Sequence, residues 1–109
     1  METTNFTLIR GSLSETVGPS GSGKGHVIKR CPNCGDQIYS HFMGLNNLLV
    51  LKTTTLSNAN ELPPQAHVFL DSKLEWLKLS DNIPKFDKFY RREEVYSDES
   101  LERMKTALQ

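Results

Sequence analysis

Short runs in which apolar and polar residues alternate dominate the first two thirds of the chain, and they predict strands. Thr4 to Ile9 mixes Thr, Phe, Leu and Ile and is broken by Gly11, which reads as a strand ending in a turn. Leu13 to Val17 gives a second extended piece that would pair with it as a hairpin. His26 to Arg30 and Gln37 to Phe42 read as two strands on either side of a tight turn, with Ile38, Ser40 and Phe42 sharing one face. Leu48 to Leu56 has the strongest β character, apolar first and Thr-rich later, and is expected in the middle of the sheet. Ser57 to Pro64 is a polar linker whose paired prolines exclude ladder pairing. Ala66 to Leu70 and Leu74 to Leu79 predict two further strands separated by Asp71-Ser72-Lys73. Trp76 is expected as a core or rim anchor, and Phe86, Phe89 and Tyr90 are expected to pack the chain back on the sheet.

Only the tail carries a helical repeat. From Ser97 to Leu108 a capping Ser or Asp comes first, acidic residues lead, basic ones trail, and Leu101, Met104 and Leu108 fall on one face. The fold class is therefore mainly β, with one C-terminal helix. Residues 1–96 are expected to form the domain and residues 97–109 a helix packed on it.

Length and charge narrow the choice of partners. A chain of 109 residues builds a marginal core without a staple or a partner. Thirteen basic and thirteen acidic side chains cancel, so no net field draws it to nucleic acid or to an anionic membrane. No apolar run reaches membrane-spanning length, and Met1 to Asn5 lacks the parts of a signal peptide. A cytoplasmic or nuclear setting, which keeps thiols reduced, is the expectation.

The two cysteines of the sequence lie in Arg30-Cys31-Pro32-Asn33-Cys34-Gly35. Two thiols two residues apart, in a turn with Pro after the first and Gly after the second, supply half of a tetrahedral zinc site, a knuckle at residues 31–35. A redox pair would sit at a helix start with Pro before the second cysteine. Asn33 stands there and β-type residues follow, so metal ranks ahead of redox. A permanent disulfide across so short a loop ranks lower still. His26, His41 and His67 could each complete a metal shell, His26 and His41 being nearest the knuckle in sequence, although each alone is more often structural.

A Gly- and Ser-rich loop precedes the knuckle. Gly18, Gly23 and Lys24 nearly match a P-loop, but Gly25 replaces the hydroxyl residue that holds magnesium, and the continuation is extended where a helix is needed. A surface loop is the plainer reading. Exposed amides there could still touch a small anionic ligand, and Ser22, Gly23 and Lys24 are the candidate contacts for glutathione.

Several motifs stand in a fixed order: Ser22-Gly23-Lys24-Gly25-His26, Arg30-Cys31-Pro32-Asn33-Cys34, His67-Val68-Phe69 with Trp76, Ile83-Pro84 and Phe86 with Tyr90, and Glu99-Ser100-Leu101-Glu102-Arg103. Together they resemble the glutathione-dependent formaldehyde-activating enzyme family, to which centromere protein V also belongs, and its fungal members most closely. The likeness spans about residues 6 to 108 and corresponds to the later part of the family domain.

The resemblance implies a partial Mss4-like fold of twisted antiparallel sheets and carbon-sulfur lyase chemistry on glutathione-formaldehyde adducts. It also implies that Cys31 and Cys34 share a structural zinc with two cysteines of an earlier segment, and that a separate cysteine cluster holds the zinc used for chemistry. Residues 1–30 contain no cysteine. No residue is therefore assigned a catalytic role, and this polypeptide alone is expected to be silent. The alternative is a noncatalytic module in which two chains share one zinc through Cys31 and Cys34.

Overall fold

The structure, a computed structural model, describes residues 1–20 and 23–109. Four strands form one antiparallel sheet in the order of the chain: β1 (Ser14–Gly18), β2 (His26–Arg30), β3 (Gln37–Phe42) and β4 (Val50–Leu51). The mainly β class expected from the alternation holds. The centre of the sheet is the β2–β3 hairpin, in which Ile28 faces Ser40 and Val27 faces His41.

The first hairpin differs from the expected one. Thr3–Asn5 is a single 3₁₀ turn, residues 6–13 contain no strand, and Ile9 is 91% exposed. β1 instead pairs with β2 across the Gly-rich loop, Ser14 opposite Arg30 and Gly18 opposite His26. The glycines permit this reversal, because Gly23 and Gly25 take φ of +74° and +77°, a region costly for residues with a Cβ.

The stretch expected in mid-sheet lies at its edge, and only Val50 and Leu51 are strand. Thr53–Thr55 turns into a 3₁₀ helix in which the Thr55 hydroxyl donates to the Lys52 carbonyl at 2.7 Å. Such local side-chain bonds offer Thr an alternative to the ladder. The apolar start of the stretch nevertheless supplies the core: Leu48 and Leu49 are its buried apolar side chains, beside buried Ser40. Backbone bonds join Leu49 to Met1 in both directions, at 2.9 and 3.1 Å.

Residues 66–79 form no strands. Phe69 sits at φ +57°, Leu70–Ser72 is a 3₁₀ turn, and the segment is held by backbone bonds from His67 to Pro84 and Phe86 and from Phe69 to Lys88. β-propensity expresses fit to a half-buried sheet surface, and here the ladder is limited to an isolated bridge between His67 and Lys85. Trp76, expected in the core or at its rim, is 73% exposed. Phe86, Phe89 and Tyr90 pack first on each other, with Phe89 stacked on Tyr90 at 4.2 Å and Phe86 edge-on to Tyr90 at 5.7 Å.

The tail has two helices where one was expected. The first, α1 (Arg92–Val95), is one turn long, too short to show a repeat in sequence. The second, α2 (Asp98–Ala107), is the predicted one, with Ser97 Oγ accepting the Ser100 amide at 3.2 Å. Leu101 and Met104 are half-buried and Leu108 is exposed. Among the described residues no helix is long and apolar enough to cross a membrane.

Candidate metal centre

The knuckle grows out of the β2–β3 hairpin. The Cys31 amide donates to the Asp36 carbonyl and the Gly35 amide to the Cys31 carbonyl, both at 2.9 Å, so residues 31–36 close a tight turn. Gly35 has φ +79°, which lets the chain reverse back into β3. The ladder is irregular between Lys29 and Arg30, immediately before the turn, and Arg30 Nη1 donates to the Gly35 carbonyl at 3.2 Å. Lys52 from beyond β4 reaches Asp36 at 2.5 Å and fastens the base of the turn to the neighbouring strand.

Cys31 is half-buried, Cys34 is exposed, and both are free thiols. The Cys31 thiol is held below its ordinary value, first by a hydrogen bond from the Cys34 amide, then by one from the Asn33 amide, with the Cys34 thiol adding a third. Burial and the Asp36 charge oppose the shift. Amides directed at sulfur favour a thiolate, the form that binds metal. Lys52 in turn holds the Asp36 carboxyl below its usual range.

The histidines are elsewhere. His26 opens β2 and His41 lies near the end of β3, so strand rise puts each about 13–16 Å along the hairpin from the knuckle. His41 Nδ1 lies 2.6 Å from the Leu48 carbonyl, to which it donates, and its ring meets Tyr39 edge-on. His67 Nε2 is bonded to Asp81 at 2.9 Å. Nearness in sequence misled because a strand carries residues apart in a straight line. Among the described residues no group of three or more His, Cys, Asp or Glu could hold a metal ion. The chain thus offers two free thiols on one turn, a donor set that would fill half of a tetrahedral shell.

The Gly-rich loop is at the opposite end of the β1–β2–β3 unit from the cysteines. Of its candidate contacts, Ser22 lies outside the described residues, and Gly23 and Lys24 are exposed. β2 follows the loop where a P-loop requires a helix. The cysteines and the loop are therefore not brought together.

Sequence reasoning missed a second feature. An open cleft of about 1040 Å³ lies between the sheet and the C-terminal segment, with Phe42, Leu48 and Ser40 on one side and Tyr90, Tyr96 and Met104 on the other. Burial, with the Tyr96 hydroxyl at 3.5 Å, pushes the Tyr90 phenol up to about 12, so that phenol stays uncharged at neutral pH. The scattered apolar residues of positions 86–104 were the available signal for it.

Fold and knuckle define a small antiparallel β domain with a Cys-x-x-Cys turn at a hairpin tip. A family profile described as glutathione-dependent formaldehyde-activating enzyme matches residues 1–72, and the chain belongs to that family. The match contains the knuckle and all four strands and ends before Trp76, α1 and α2. No curated protein and no solved structure matches the chain.

Proposed function

We propose that the chain is a zinc-binding domain of the glutathione-dependent formaldehyde-activating type, in which Cys31 and Cys34 supply two thiolates of a structural site. On this reading residues 1–96 make up the partial domain and residues 97–109 a helix packed on it. The observation that carries the proposal is the turn that holds both free thiols, closed by the backbone bonds from Cys31 to the Asp36 carbonyl and from Gly35 to the Cys31 carbonyl. With two thiol donors and no further cluster among the described residues, the polypeptide alone is catalytically silent in carbon-sulfur lyase chemistry. A reducing compartment, cytoplasm or nucleus, keeps such thiols ready for metal.

Zinc content per chain and a lyase assay on the glutathione-formaldehyde adduct test this together. Zinc lost on changing Cys31 and Cys34 to Ser, with no turnover, is the expected result; robust turnover by this polypeptide alone defeats it. A glutathione contact through Gly23 and Lys24 would be a separate surface, detected as saturable binding lost in Lys24→Ala.

The second reading is a noncatalytic module in which two chains share one zinc. It is favoured by the exposure of Cys34 at the hairpin tip, where another copy could approach. About half an ion per chain with dimeric mass supports it.

A further inference from the structure

Two thiols leave a zinc shell half filled, but they complete the shell of an ion that takes two ligands. Both donors stand free on one closed turn, whose ends are joined by the Cys31 amide and the Asp36 carbonyl at 2.9 Å. The Gly35 amide bonds back to the Cys31 carbonyl, also at 2.9 Å, and across such an α-turn side chains three positions apart are neighbours. The Cys34 thiol is accordingly within hydrogen-bond reach of the Cys31 sulfur. No harder ligand joins them. Asp36, the carboxylate of the turn, is held by Lys52 at 2.5 Å, and His26 and His41 stand far along the hairpin. Among the described residues no group of three or more His, Cys, Asp or Glu could hold a metal ion.

We infer that Cys31 and Cys34 of one chain bind one Cu(I) in a two-coordinate dithiolate site, in preference to zinc, when this polypeptide is the sole source of ligands. The inference rests on the reading of the two cysteines as metal ligands, but not on zinc being their metal. Soft thiolates select soft ions, and a monovalent ion with a filled d shell is satisfied by two sulfurs, whereas structural zinc takes four ligands. Binding breaks two S–H bonds and forms two Cu–S bonds. Two protons leave, no electron is transferred, and the site ends with one negative charge. Arg30, whose Nη1 donates to the Gly35 carbonyl at 3.2 Å, places a cation on the same turn. Cys34 is exposed at the hairpin tip, so a small thiol carrying Cu(I) can hand the ion over by exchange of sulfur ligands.

The test titrates the full, reduced chain with Cu(I) against a chromophoric Cu(I) chelator. Native mass spectrometry, sedimentation velocity and X-ray absorption read stoichiometry, oligomeric state and sulfur coordination. One Cu(I) per monomer with two sulfur ligands is expected. It should be held about tenfold more tightly or better than by a synthetic peptide of residues 30–35, because the folded turn presets the two sulfurs. Cys31→Ser and Cys34→Ser should each abolish that binding while the circular dichroism spectrum stays in place, and excess zinc should not displace the ion. A three-sulfur site, a dimer bridged by copper, an affinity no better than the peptide's, or displacement by zinc overturns the inference. A zinc titration without copper forms a separate arm. A chain that takes up no zinc yet meets every Cu(I) criterion defeats the zinc reading alone, and one that binds zinc but fails a Cu(I) criterion defeats this inference alone.

Discussion

Arg103 grips Glu2 in a two-pronged ion pair, Nε to Oε1 and Nη2 to Oε2, each at 2.9 Å, joining positions 101 residues apart in sequence. With the Asn47 amide donating to the Ala107 carbonyl at 2.8 Å, it ties α2 to the start of the chain and to the β3–β4 connection. The Arg103 bond holds the Glu2 carboxyl below its ordinary value. Both groups meet solvent, so the contribution is small and screened by salt. Arg103→Gln should produce a slight fall in Tm that vanishes in molar salt, together with faster hydrogen exchange along α2 and unchanged exchange in β2 and β3.

The amides facing the Cys31 sulfur favour its thiolate. Alkylation by iodoacetamide, followed by peptide mass spectrometry across pH, should show Cys31 labelling with a midpoint below the ordinary thiol value of about 8.5. Saturating zinc should suppress the labelling. A midpoint at or above the ordinary value would mean that the amides do not point at sulfur in solution.

Gly35 sits at φ +79° with no atom within 4 Å of where a Cβ would stand, so substitution there meets conformational strain and no clash. Gly35→Ala should cost about 1–2 kcal/mol, read as a lower denaturant midpoint at unchanged slope. Gly35→Asn should cost less, because Asn tolerates the left-handed region.

The Asp81 carboxyl is lowered to about 2, chiefly by His67 and then by Lys85. A lowered carboxyl stabilises the fold above its unfolded pKa, and that contribution disappears as pH falls through the folded value. The Tm difference between the protein and Asp81→Asn should thus be present at about pH 5, shrink below about pH 4 and be gone near pH 2. A difference that persists at the acid end would show that Asp81 acts through its shape and not its charge.

The knuckle hairpin was legible because two cues agree: alternation in Val27, Ile28, Ile38 and Ser40, and turn chemistry in Pro32 and Gly35. Ser97 and the acidic first turn marked α2 for the same reason. Leu48 to Leu56 was half legible. Its apolar start marks the core, but the threonines bond locally instead of to a neighbouring strand. Residues 66–79 carry the composition of strands but pair only through an isolated bridge from His67 to Lys85, and sequence records the composition, not the pairing. The candidate site shows the same division. Its cysteines were visible from spacing, while the Lys52 tether to Asp36 and the cleft depend on which elements come together in space.

Among the described residues β1 has a strand partner on one side only. Its outer margin therefore presents unsatisfied amides and carbonyls, with Val17 largely exposed among them, and such a margin can recruit strands from other molecules. In concentrated solution this is where chains would begin to zip into aggregates. A lysine introduced at Thr16 is a rational first step toward a stock that stays clear.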